Sequence, residues 1–205
     1  MRRVASAGLT IDLLVDSEHW TGARAASAIV RRAVRQAAAG LSPHPAELAI
    51  VLTDDTAMRR LNRNWRGVDA AANVLSFPTD KAGAHPGARA GRQASKRGNQ
   101  HHDQHGQHLG GIVLAYETIK REARREDKAF NHHLAHLAVH GFLHLLGYDH
   151  ESAAQAHRME TAERAIMRRL AMPDPYAAAR STSGRSGRRP AKRPGRERAR
   201  PARNA

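Results

Sequence analysis

At LGGIVLAYE, Leu109 to Glu117, an apolar run passes directly into a helical pattern, Thr118 to Asp127, with no turn residues between them. A short run of this kind reads as a buried strand feeding a helix. The pattern recurs upstream. ELAIVLTDD gives an apolar run, Leu48 to Leu52, followed by Thr53 or Asp54 as N-cap of a helix through Met58 and Leu61. LTIDLLVD, Leu9 to Asp16, alternates as a strand should, and the Ala-rich stretch Trp20 to Ala39 has apolar residues at helical spacing, closed by Gly40 before the loop SPHP. ANVLSFP, Ala72 to Pro78, is a brief strand ended by proline. Two further helices, Asn131 to Leu146 and Glu151 to Leu170, flank GYDH. Interleaved strands and helices imply an α/β fold (an α+β layer) with a small, about four-stranded mixed sheet packed with about five helices. Strand order is left open.

The 205 residues suit one domain, expected over 1–179. Residues 80–108 are rich in Gly, Ala, Arg, Gln and His without a hydrophobic period and read as a disordered or mobile insertion. Residues 180–205 switch to Ser, Gly, Arg and Pro and read as a basic disordered tail. The formal charge is +15, but ten Lys or Arg against one Glu fall in the tail, and five against one Asp between Lys81 and Gln107. The folded part is therefore nearly neutral, and its function cannot be inferred from pI. The tail has the charge to contact phosphates or simply to remain solvated.

No cysteine is present, which excludes disulfides and thiolate metal sites; any metal must be held by His, Asp or Glu. The first residues lack a signal-peptide core, and no apolar run is long enough to span a membrane, so a soluble cytoplasmic protein is expected.

HLAVHGFLHLLGYDHE, His136 to Glu151, carries four histidines. His140 and His144 lie four apart on a helix, close enough to reach one ion. Gly147 is placed to end the helix in a left-handed conformation, so that His150 returns beside the same face. Three neutral imidazoles leave one tetrahedral position free, as in a catalytic zinc site. His136 also lies four before His140, but each step of four overshoots a turn by about 40°, so three successive histidines cannot aim at one point. His136 is assigned a supporting or packing role. His132, His133 and His157 lack this geometry, as do the insertion's histidines. In the peptidase helix motif HExxH a glutamate base follows the first histidine; here that position is Gly141.

HGFLHLLGYDH, His140 to His150, resembles the HGxLHLxGYDH signature of the YbeY family of endoribonucleases and rRNA maturation factors. LNRNWRGVDAAANVLSFP, Leu61 to Pro78, and LGGIVLAYE resemble two further blocks of the family in the same order. The resemblance implies a YbeY-like metal-dependent hydrolase fold, one zinc ion (Zn2+) on His140, His144 and His150, and cleavage of single-stranded RNA with His144 and Arg66 in catalytic roles. The implied partners are precursor rRNA and the small ribosomal subunit, in 16S rRNA 3′-end maturation and ribosome quality control, with neither membrane nor DNA expected. Arg66 takes the position of the family's functional arginine, where a guanidinium can grip phosphate oxygens.

Two departures stand out. Gly111 replaces a family acidic residue suited to orienting a histidine or assisting proton transfer, and Ala71 to Asn73 lacks a threonine hydroxyl near the cleft. Asp149 has the chemistry either to orient an imidazole or to form the turn. A reading of another class is an RNA-binding assembly factor with a structural zinc. A peptidase is disfavoured by Gly141.

Overall fold

The computed structural model describes residues 8–23, 25–41, 46–79 and 107–177. Its elements run β1 (Leu9–Val15), a 3-10 turn (Glu18–Trp20), α1 (Ala26–Leu41), β2 (Ala46–Thr53), α2 (Asp55–Arg66), β3 (Val74–Pro78), β4 (Gln107–Ala115), α3 (Tyr116–Arg125), α4 (Phe130–Leu145) and α5 (Ala153–Arg169). The four strands form one sheet in the order β1-β2-β4-β3. β1 and β4 run parallel to β2, and β3 runs antiparallel to β4 at the sheet's edge. The expected α/β architecture is borne out, with a mixed four-stranded sheet and five α-helices among the described residues.

The apolar runs of β2 and β4 reflect cover on both faces of the sheet. Strand side chains alternate between faces, which divides β4 between two cores. Ile112 and Leu114 join the larger core with α1, α4 and α5, whereas Val113 and Ala115 meet Leu75 of β3 and Met58 of α2 on the other side. Helix α4 lies deepest. Leu134, Ala138, Val139, Phe142 and Leu143 are all fully buried.

Several boundaries depart from the sequence reading. Trp20 does not open the first helix but belongs to the 3-10 turn, where it is buried and its indole N–H donates to the Thr53 carbonyl at 2.8 Å. Gly40 does not close α1, which continues to Leu41; a Cβ there would lie 2.6 Å from the Arg169 guanidinium, so the glycine leaves room for the tip of that side chain. Asp54 caps α2, accepting from the Ala57 amide at 2.8 Å, while Thr53 stays in β2. Gln107 and His108, assigned to the insertion, are the first residues of β4; the rest of that segment and the tail lie outside the described residues. All these elements belong to the first of two units into which the chain divides, Met1–Pro175 and Tyr176–Ala205. The expected boundary at residue 179 also lies outside the described residues.

Candidate metal centre

The C-terminal end of α4 supplies the first two histidines and the local sequence supplies the turn. After Leu146 the chain leaves the helix at Gly147, whose φ is +83°. The Gly147 amide donates to the His144 carbonyl at 3.1 Å and the Tyr148 amide to the Leu143 carbonyl at 3.0 Å. This paired closure needs the left-handed residue that glycine supplies without strain. Asp149 then accepts from the His150 amide at 2.8 Å, which is the turn-forming alternative for this residue. Ser152 and Gln155 cap α5 reciprocally, fixing the far end of the loop.

His140, His144 and His150 are brought together, with one candidate ligand atom from each within 4.8 Å of the others. Nε2 of His144 lies 3.1 Å from Nε2 of His140. Tetrahedral zinc–nitrogen bonds of about 2.0–2.1 Å would place ligand nitrogens roughly 3.3 Å apart, so this pair already has the spacing of two ligands. His150, exposed on the turn, offers the third ligand atom within 4.8 Å of both. Burial pushes the His144 imidazole below its usual pKa, and the neighbouring His140 and His150 push the same way; Asp149 and a backbone hydrogen bond with Tyr148 oppose them. A neutral imidazole is the form that binds a cation.

Glu163 of α5 went unnoticed in the sequence. Its side chain is 0% exposed, with Oε1 2.8 Å from His140 Nδ1 and Oε2 3.0 Å from His136 Nε2. The signal was present: Glu163 shares the apolar face of α5 with Met159, Ile166 and Met167, and an acid on such a stripe calls for a partner. His140 thus has one ring nitrogen on a carboxylate and the other facing His144 and His150. That donor set fits a divalent cation, because three imidazole nitrogens, each able to offer a lone pair, converge within 4.8 Å of one another. His136 lies outside the three-histidine group, bonded to Glu163.

Gly141 packs its α-carbon against the sheet. A Cβ there would approach Ile112 Cγ2 to 3.0 Å and Ser76 Oγ and Val74 Cγ2 to 3.1 Å, and the Ser76 hydroxyl donates to the Gly141 carbonyl at 3.0 Å. The position that holds a general base in HExxH therefore faces strand β3 and has no room for one.

Arg66 comes from a different element than the histidines. It is exposed at the last turn of α2, in the layer opposite α4, and Gly67 turns the chain immediately after it with φ +70°. The preceding Trp65 packs on Phe77 of β3 with ring centroids 4.9 Å apart. Edge strand β3 thus lies between the two helices: Val74 and Ser76 face α4, whereas Leu75 and Phe77 face α2. Gly111 pairs with Phe77 and shares its face. An acidic side chain at 111 would project into the α2 layer, away from the histidines, where the nearest atom to a Cβ is Ala49 O at 3.8 Å. The carboxylate that does meet a histidine of the group is that of Glu163, at His140 Nδ1. Asn73, in the other departing block, donates to Glu122 of α3 at 2.9 Å, and the same carboxylate oxygen lies 3.1 Å from His133 Nε2.

No helix among the described residues is long and apolar enough to cross a membrane. A family model described as "Endoribonuclease YbeY" matches residues 15–171. Proteins named Endoribonuclease YbeY are similar to the chain in Nitrobacter hamburgensis, 47% identical over 81% of this chain and 81% of the relative, and in Nitrobacter winogradskyi, 45% identical over 85% of each. Another in Rhodopseudomonas palustris is 46% identical over 81% of this chain and 89% of the relative. A solution structure from Thermotoga maritima has a TM-score of 0.43 and 19% identity, covering 90% of this chain and 100% of that one.

Proposed function

The chain belongs to the YbeY endoribonuclease family, and from that premise we propose that it is a zinc-dependent hydrolase of single-stranded RNA. The observation that carries the reading is the meeting of His140, His144 and His150 at the end of α4. Three neutral donors from one helix end and one turn leave a coordination position for a reactant, whereas a structural zinc has four protein ligands. A zinc ion held there supplies a Lewis acid that eases the ionisation of water.

The protein groups act around it. Glu163 holds the His140 ring by its Nδ1. Arg66 binds a phosphate of the strand, its guanidinium offering two parallel N–H donors to the charge that builds on the oxygens. Because Arg66 ends α2 and the histidines end α4, on opposite faces of β3, the strand would pass along the edge strand β3 to meet both. Gly141 leaves helix α4 without a peptidase base, which supports RNA over a peptide as substrate.

In the cell the substrate is precursor rRNA on the small ribosomal subunit, in 16S rRNA 3′-end maturation and ribosome quality control, and the protein works in the cytoplasm. Zinc content and cleavage of a single-stranded RNA are the tests. His144→Ala should lose both, and Arg66→Ala should keep zinc while cleavage falls by roughly 10²-fold or more. Zinc binding and cleavage intact in His144→Ala would overturn the reading.

A further inference from the structure

A carboxylate removed from water is costly unless its oxygens are hydrogen-bonded. Glu163 is fully buried, and each of its oxygens meets a different histidine of α4: Oε1 lies 2.8 Å from His140 Nδ1, and Oε2 lies 3.0 Å from His136 Nε2. A carboxylate oxygen accepts, so His140 must donate from Nδ1. In the neutral ring, the form that binds a cation, its other nitrogen, Nε2, then carries the lone pair, and that atom lies 3.1 Å from His144 Nε2. We propose that Glu163 is a positioning residue for metal binding: it fixes the tautomer and ring orientation of His140, and His136 in turn steadies the carboxylate from one helical turn away.

The proposal rests on the three-histidine metal site put forward above and adds the residues that prepare it. An imidazole with no anchored nitrogen can present either tautomer and swing about its χ2, and each alternative must be given up when a cation binds. A carboxylate on the far nitrogen removes that cost and makes the ligating nitrogen more basic. One acid serves two histidines because His136 and His140 are four residues apart on α4, and Glu163 stands opposite both from the inner face of α5. His136 therefore remains outside the ligand set with its own hydrogen-bonding role.

The test uses the full chain and two readouts. Co2+ titration followed by visible absorption should show Glu163→Gln binding about 10- to 100-fold more weakly than wild type, with unchanged far-UV circular dichroism. Nitrogen NMR of the metal-free wild type should show His140 protonated at Nδ1. Glu163→Gln binding Co2+ as tightly as wild type would overturn the proposal, and so would a wild-type His140 protonated at Nε2, a result that stands even if the variant fails to fold. His144→Ala separates the two ideas. Loss of Co2+ in His144→Ala with full retention in Glu163→Gln removes the role of Glu163 alone, whereas retention in His144→Ala removes the metal site on which it depends.

Discussion

Gly141 has three neighbours that settle its role, the sheet side chains of Ile112, Ser76 and Val74, each within about a tenth of an ångström of the closest approach a Cβ tolerates. Alanine there gains about 1 kcal/mol of helix propensity and spends it on pushing those neighbours aside. Valine has no such balance. Gly141→Val should destabilise by about 1–3 kcal/mol in denaturant unfolding, and wild-type stability in that variant would contradict the packing described. His133 shows a different residue-scale effect. It is buried on α4, and burial pushes its imidazole below the usual value; Glu122 and Glu126 pull it up, and His136 pushes it down. The folded pKa therefore lies below the unfolded one. As pH falls from neutral through the ordinary histidine range, the unfolded chain takes up its proton first and stability declines. His133→Gln keeps a donor toward Glu122 and removes the titration, so its stability should fall less than wild type's between about pH 7.5 and pH 5.5. Parallel pH profiles would exclude His133 as a source of that decline.

At the scale of elements, the end of α4 is where local sequence and function meet. Two carbonyls of the last turn are closed by amides of Gly147 and Tyr148, and nothing lies within 4 Å of a Cβ at Gly147. Substitution there is therefore a backbone matter. Gly147→Ala should cost about 1–2 kcal/mol through the left-handed conformation, and it should weaken zinc binding by displacing His150 while leaving the His140–His144 spacing on the helix intact. Calorimetric zinc titration beside chemical denaturation measures both; a stability loss without any change in zinc affinity would show that the turn does not position His150. The end of α4 was legible because each signal is local: two histidines at one helical step of four and a glycine at the stop; the capping box that starts α5 at Ser152, one residue after the expected Glu151, came only with the structure. The start of α1 was not. Trp20 continues a helical pattern in sequence, but its indole finds the Thr53 carbonyl at the end of β2, and that contact holds it in a separate turn.

For the whole molecule, charge is unevenly placed along the sequence. Residues 180–205 hold ten of the chain's 34 Lys and Arg. Ending the chain at Ala179 should lower RNA affinity and flatten its salt dependence, by about 0.7 in the logarithmic slope for each phosphate that the tail would otherwise neutralise. Equal affinity and slope in filter binding across salt would make the tail a bystander. The amino-acid sequence alone determined the α/β alternation, the spacing of His140 and His144, the glycine stop and the family, because each depends on residues near one another along the chain. Tertiary structure decided the strand order, the room Gly40 leaves for Arg169, the face on which Gly111 lies and the arrival of Glu163 behind His140. These depend on which elements pack together, and helical periodicity can announce a buried acid without naming the imidazole it will meet.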